Sequence, residues 1–172
     1  PGALLSLHGE IDDWLDKMVP IKDLPIYTSI DIRDATFKLA AVDTNLFPAG
    51  FNNLCMVSTK DASMQFKQAV TEKVGTCKNI LIICEEHTRN KWYLENIYVL
   101  QEIAKEAGYN VTIATFMQDS LGNIISPGIE LETAEGNSVY IHRLRPLIES
   151  IRTKETQFDM IILNNDLSGG IP

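Results

Sequence analysis

The sequence predicts an α/β domain with a mostly parallel sheet, helices on both faces of that sheet, and an inserted β-hairpin. Short apolar runs alternate along the chain with longer segments in which apolar residues recur at steps of three and four. The short runs are almost continuously apolar, which is typical of strands covered on both faces. Together these two observations favour strand-helix alternation around one parallel sheet.

Each predicted element has its own signal. Helices are marked by the helical spacing of apolar residues and by a stop signal, such as Pro20 after the first helix and Gly108 after the third. Strands are marked by short apolar runs, of which NILIIC is the clearest. In chain order, the predicted elements are a helix over 4–18, strands over 26–33 and 37–43, a helix over 61–74, a strand over 79–84, a helix over 90–107, strands over 110–116, 129–133 and 138–142, a helix over about 144–152 and a strand over 159–163.

Four of these strands are expected to form the parallel sheet: 37–42, 79–84, 110–116 and 159–163. The segment 119–142 is rich in turn residues and contains two short alternating strands, so we expect a hairpin inserted on the surface. The 172 residues should fold as one domain. Because the chain starts at Pro1 without a Met and stops directly after an apolar run, we expect it to be a fragment.

Composition limits the classes of binding partner and the cellular compartment that we expect for this protein. A formal net charge of -8 argues against nucleic acid, since phosphate contacts require clustered Lys and Arg. No run approaches the ~18 apolar residues of a membrane span, and no signal segment opens the chain, so the cytoplasm is the expected location. The three cysteines lack CxxC spacing and are expected to be reduced core thiols, although Cys84 is also a candidate reactive thiol.

Three polar loops follow predicted strands, over residues 43–53, 85–90 and 164–170. In open α/β sheets, ligands bind beyond the carboxyl ends of the strands, so these loops are expected to share one edge of the molecule. Each loop alone is also explained by turns and helix caps. Amides and carboxylates together with one arginine, however, are suited to a small zwitterion with an ammonium and a carboxylate group.

Within these loops, Asn90 or Thr88 is expected to cap the next helix, and Arg89 offers a bidentate clamp for a carboxylate. A metal site is the alternative, built on Glu85, Glu86 and His87 with Asp43 or Asp166 as a further ligand. These acidic and histidine residues lack a diagnostic ligand spacing. The sequence also lacks GxxxxGK[ST] and GxGxxG, so it shows no phosphate loop for a nucleotide of its own.

The blocks DIRDATFKLAAVDTNLFPAGFNNL, EEHTRNKWYLENIYVLQEIAKEAGYNV and ILNNDLSGGIP resemble the proteobacterial type of glutamate-cysteine ligase, a family with an ATP-grasp-like architecture. The resemblance extends from about Ile30 to Pro172, and little of it lies in 119–142. It implies ATP- and Mg²⁺-dependent ligation of the L-glutamate γ-carboxylate to L-cysteine, giving γ-glutamylcysteine, the first step of glutathione synthesis.

The resemblance further implies that this chain is the amino-terminal, Rossmann-like domain of pre-ATP-grasp type. On that interpretation it supplies one wall of the amino-acid site, the portion that follows holds ATP and Mg²⁺, and the isolated fragment is inactive. No catalytic residue is assigned. The substrate-binding candidates implied by position are Arg33, Asp43, Asn45, Asn52, Asn53, Glu85, His87, Arg89, Asn164, Asn165 and Asp166.

Two other functions stay open from the sequence alone. One is a stand-alone domain that binds an amino acid without catalysis. The other is a metal hydrolase that uses the acidic and histidine residues of the second loop. A ligand that stabilises the isolated chain would favour the first, and bound stoichiometric zinc or manganese would favour the second.

Overall fold

The computed structural model describes residues 6–18, 24–87, 89–116 and 127–167. Residues 119–126 of the predicted insertion, the candidate cap Thr88 and the end of the third polar loop therefore lie outside the described residues. In chain order, the elements are α1 (His8–Met18), β1 (Ser29–Asp34), β2 (Leu39–Asn45), a 3₁₀ helix (Phe51–Asn53), α2 (Met56–Val74), β3 (Asn79–Cys84), α3 (Lys91–Glu106), β4 (Asn110–Thr115), β5 (Gly128–Glu132), β6 (Ser138–Arg143), α4 (Leu144–Arg152) and β7 (Met160–Asn164).

The main sheet has five strands in the order β5-β6-β4-β3-β7. Neighbours β6, β4, β3 and β7 run parallel, and β5 runs antiparallel to β6. Successive residues of β3 point to opposite faces. Accordingly Ile80 and Ile82 pack with the buried residues of α2 and α3, whereas Leu81 packs with Leu144 and Leu147 of α4. The predicted α/β class with a mostly parallel sheet is confirmed.

The prediction that residues 37–42 form a strand of the parallel sheet is wrong. This segment belongs to β2, which pairs antiparallel with β1 in a separate two-stranded hairpin, and nearly all of β2 is exposed. The reason is the short connection, in which Ala35 N donates to Lys38 O at 3.0 Å. So short a turn joins antiparallel neighbours, because parallel neighbours require a crossover of about a dozen residues or more.

The second hairpin forms, but it continues the main sheet instead of standing apart as a surface insertion. β6 pairs with β5 on one side and with β4 on the other. Val139 and Ile141 of β6 are buried in the main core. Glu95, which is 2% exposed on α3, accepts hydrogen bonds from Glu135 N at 3.1 Å and Asn137 Nδ2 at 3.0 Å and so anchors the hairpin turn.

The amino ends of the central strands are joined by a compact set of hydrogen bonds. Asp159 Oδ2 accepts from the backbone N–H groups of Lys78 and Asn79, both at 2.8 Å. Asn110 Nδ2 donates to Asn79 Oδ1 at 2.9 Å. The two backbone donors, that of Asn79 first, lower the pKa of Asp159. These contacts fix where β3, β4 and β7 begin.

The amphipathic helix predicted over 4–18 is present as α1 over His8–Met18, and its apolar residues Trp14 and Met18 are exposed. Residues 4 and 5 of that prediction lie outside the described residues. In the ranges that the structure covers, no helix has the length and hydropathy needed to span a membrane.

Candidate functional site

Three strands end level with one another at the carboxyl edge of the sheet. In the register, Cys84 of β3 lies beside Thr115 of β4 and beside Asn164 of β7. The Cys84 carbonyl accepts hydrogen bonds from Thr115 Oγ1 at 3.0 Å and from Asn165 Nδ2 at 3.2 Å. The predicted residues Asn164 and Asn165 therefore lie at the end of the same strand group as the second polar loop.

Both asparagines of this pair are held in place by further contacts. Asn164, 2% exposed, accepts at Oδ1 a hydrogen bond of 3.0 Å from Tyr27 Oη, and Asn165 Oδ1 accepts from Leu167 N at 2.8 Å. Burial raises the pKa of Tyr27, so its hydroxyl stays protonated and can donate. The exposed Asp166 follows directly.

The 3₁₀ helix brings the first polar loop to this edge. The Phe51 ring packs edge-on against the Tyr27 ring, with centroids 5.1 Å apart, and Phe51 N donates to Asn96 Oδ1 at 2.9 Å. Asn52 and Asn53 lie in the same helix and are half-buried and exposed, respectively. These two predicted residues therefore directly follow Phe51, whose ring packs against the tyrosine that contacts Asn164.

Asn96 is fully buried on α3, and its Nδ2 makes no hydrogen bond in the part of the chain that the structure describes. An amide hydrogen left without an acceptor in the interior costs free energy, so this donor is a point of weakness in the packing. Its carbonyl oxygen nevertheless fixes the position of the 3₁₀ helix. Asn96 is therefore a positioning residue of the edge.

The second loop is organised around Tyr93. Glu85 N donates to Tyr93 Oη at 2.9 Å, and the His87 ring lies edge-on to the Tyr93 ring with centroids 5.4 Å apart. Glu85 Oε2 and His87 Nε2 lie 2.7 Å apart and contact each other directly. Asn90 caps α3, as predicted, because its Oδ1 accepts from Trp92 N and Tyr93 N at 3.1 and 3.2 Å. Burial raises the pKa of Tyr93.

An open cavity of about 390 Å³ lies at this loop and is lined by Glu86, His87, Arg89 and Asn90. Arg89 is exposed, directly before the amino end of α3. The cavity therefore presents a guanidinium, an imidazole, a carboxylate and the positive end of a helix dipole. This combination suits a small molecule that carries both a carboxylate and an ammonium group.

Arg33, Asp43 and Asn45 are on the β1–β2 hairpin and not behind a strand of the main sheet. In the register Asn45 lies opposite Ser29 and Asp43 opposite Asp31, while Arg33 is two residues after Asp31. All three predicted residues therefore share one exposed face of the hairpin. Asn45 Oδ1 accepts from Phe47 N at 2.7 Å and shapes the start of the loop. A contact of this face with a substrate stays a prediction.

The metal alternative finds no third ligand in the described ranges. No group of three or more His, Cys, Asp and Glu side chains among those residues is arranged to hold a metal ion. Glu85 and His87 contact each other, and His87 also packs against the Tyr93 ring.

Sequence reasoning missed Tyr27, Tyr93, Asn96 and Thr115 as members of this edge. Asn96 carried a usable signal, because it stands among the apolar residues of an amphipathic helix, three positions after Tyr93. A polar residue at such a position must find a partner inside the protein. Tyr27 and Thr115 carried no comparable signal, since both residue types are ordinary in strands.

Comparisons with known proteins agree on one family. The model of the family GshA, glutamate-cysteine ligase, matches residues 2–172. No curated protein matches the chain. The crystal structure named "Putative gamma-glutamylcysteine synthetase" from Methylobacillus flagellatus KT is 34% identical with a TM-score of 0.79, and the match covers 98% of this chain and 39% of that chain. This chain therefore spans well under half the length of that relative, and it belongs to the GshA glutamate-cysteine ligase family.

Proposed function

We propose that this chain supplies one wall of the amino-acid site of a longer, ATP-dependent ligase that joins the γ-carboxylate of L-glutamate to the amine of L-cysteine. The product is γ-glutamylcysteine, the first intermediate of glutathione synthesis. The supporting observation is the carboxyl edge of the sheet, where the loop after β3 lines a cavity with Glu86, His87, Arg89 and Asn90, and where Asn165 donates a hydrogen bond to Cys84 at the end of β3. The family and the solved relative support the same chemistry.

The side chains of this edge divide into two proposed roles. Asn164 and Asn165 use their amide oxygens within the protein, so they hold the edge in shape. Arg89 and Glu86 line the cavity and are exposed, so they are the groups that would pair with the α-carboxylate and the ammonium of an amino acid. Holding two amino acids in reacting orientation lowers the barrier by removing the entropy of their encounter.

ATP and Mg²⁺ are assigned to the rest of the ligase. The described residues hold no group of three or more His, Cys, Asp and Glu side chains arranged for a metal ion, and the sequence contains neither GxxxxGK[ST] nor GxGxxG, so no residue of this chain is assigned to ATP or Mg²⁺. No step of the reaction is therefore assigned to a metal or nucleotide on this chain.

A ligation assay tests this proposal. The longer protein that contains this segment is incubated with ATP, Mg²⁺, glutamate and cysteine, and γ-glutamylcysteine is measured by mass spectrometry beside the 172-residue chain alone. We expect product from the longer protein and none from the isolated chain. Turnover by the isolated chain well above background would refute the assignment of ATP and Mg²⁺ to the rest of the ligase. An inactive longer protein would refute the ligase assignment itself.

A thermal-shift measurement separates the ligase from the binding-domain alternative. A stand-alone amino-acid sensor would be stabilised by its ligand without the remaining polypeptide. We expect glutamate or cysteine at 100 times a typical metabolite Kd to leave the melting temperature of the isolated chain nearly unchanged, because half of the site is missing. A shift of several degrees would favour the sensor.

A further inference from the structure

The β1–β2 hairpin has one apolar face that the described protein leaves open to solvent. Ile30 and Ile32 point to the same face, and the antiparallel register adds Leu39, which lies opposite Asp34. Their exposed fractions are 51%, 67% and 63%, and Phe37 in the connecting turn is 90% exposed. Asp34 and Thr44 share this face, which is therefore mainly apolar, whereas Asp31, Arg33 and Asp43 lie on the other face.

A hairpin of this kind is incomplete by itself. Two strands alone are marginally stable in water and require a third strand or a packed layer on their apolar face. Within the described ranges, β1 and β2 pair only with each other. Grouped, exposed apolar side chains usually mark a contact surface. We call Ile30, Ile32 and Leu39, together with the exposed Phe37 of the adjoining turn, the apolar hairpin face.

The length of the solved relative indicates what covers this face. The chain accounts for 39% of that protein, so most of a ligase of that size lies outside these residues. We infer that the apolar hairpin face docks against the remaining polypeptide of the same ligase. The inference rests on the proposed function in one respect, namely that this chain is a segment of a longer ligase.

The size of the face favours an intramolecular contact over a second copy. Four side chains are far fewer than the roughly 20–30 residues that each partner contributes to a stable complex of separate proteins. A contact within one polypeptide is not opposed by the loss of translational and rotational freedom that separate partners undergo. A small patch is therefore sufficient inside one chain and insufficient between two.

Photo-crosslinking tests the contact directly. The photoreactive residue p-benzoylphenylalanine replaces Phe37 in the longer ligase, and crosslinked peptides are identified by mass spectrometry after irradiation. We expect crosslinks to peptides outside residues 1–172. Crosslinks confined to residues 1–172, crosslinks between two copies, or a native protein made of these 172 residues alone would each overturn the inference. The 172-residue chain with the same substitution is the control for contacts within the segment.

A charge substitution provides a second, independent measurement. Ile32→Lys should leave the melting temperature of the isolated 172-residue chain within about 2 °C, and lower that of the longer ligase by about 5 °C or more. Met64→Lys is the matched control, because Met64 is 62% exposed on α2, and we expect it to change neither protein. Equal shifts of the two proteins by Ile32→Lys would contradict docking.

Neither measurement depends on catalysis, so the two proposals fail separately. Crosslinks in a longer protein that makes no γ-glutamylcysteine would remove the proposed reaction and leave the docking surface. An active ligase without those crosslinks would remove the docking surface and leave the proposed reaction.

Discussion

Tyr27 Oη donates a 3.0 Å hydrogen bond to Asn164 Oδ1, and the two residues are 137 positions apart. The bond connects the segment before β1 to the end of β7. The Phe51 ring packs edge-on against the same tyrosine. The amino-terminal segment therefore takes part in shaping the carboxyl edge of the sheet. Loss of this hydrogen bond should lower the stability of the protein and change the geometry of the candidate site.

Tyr27→Phe should lower the free energy of unfolding by about 1–3 kcal/mol, because the buried Asn164 oxygen loses its donor. Urea denaturation of the isolated chain measures this change. Tyr140→Phe, at a tyrosine that is 41% exposed on β6, is the matched control and should change the unfolding midpoint very little. Equal midpoints for Tyr27→Phe and the unchanged chain would show that Asn164 finds another donor.

Arg89→Ala should raise the KM for glutamate of the longer ligase by roughly 10- to 100-fold, the effect of losing a hydrogen-bonded charge pair. Arg89→Lys should recover only part of this loss, since an ammonium cannot form the bidentate contact. Initial rates at varied glutamate concentration measure both variants. Arg152→Ala removes the same charge from the last turn of α4 and should leave the KM unchanged. An unchanged KM in Arg89→Ala would remove Arg89 from the site.

Asp159 should give a stability contribution that depends on pH in the acid range. Because two backbone N–H groups lower its pKa in the folded protein, its contribution is present above the carboxyl pKa of the unfolded chain, near 4, and is lost as pH falls toward the folded value. The difference in urea midpoint between the unchanged chain and Asp159→Asn should therefore be largest at pH 6 and shrink at pH 3. Asp61→Asn, at an exposed position of α2, is the charge control. A difference that does not vary with pH would contradict the assigned cause.

Cys84 should be the last cysteine to react with iodoacetamide. It is fully buried, and burial raises the pKa of its thiol to about 12, so almost no thiolate is present at pH 8. Cys55 is exposed and should be alkylated first, with the half-buried Cys77 between them. Peptide mass spectrometry after timed labelling measures the order, and all three should react alike in guanidinium. Early labelling of Cys84 in the folded chain would restore it as a reactive thiol.

The sequence predicted the sheet core well because its signal is local. The run NILIIC became β3, and the helix that starts after Asn90 became α3 with that residue as its cap. Strand ends follow from such runs, so Asn164 and Asn165 were correctly expected beside the second loop. In each case, the pattern of neighbouring residues determines the structure.

The failures concern partners that are distant in the chain. The run from Leu39 to Val42 is apolar enough for a buried strand, but the short turn before it makes it pair with β1. Leu39 and Val42 therefore stay exposed. The pairing of Tyr27 with Asn164 depends on how three elements stack, which no local pattern encodes. The role of a residue such as Thr115 is likewise set by the strand beside it.

The hydrogen bonds of Asp159, Asn79 and Asn110 are at the opposite rim of the sheet from the asparagine pair of β7. A strand of six residues such as β3 separates the two rims by roughly 20 Å. An engineer could therefore strengthen the amino rim, for example to obtain a more heat-resistant enzyme, while the groups at the other rim keep their positions. Thermal stability can therefore be changed at one rim of the sheet without changing the geometry of the candidate site at the other.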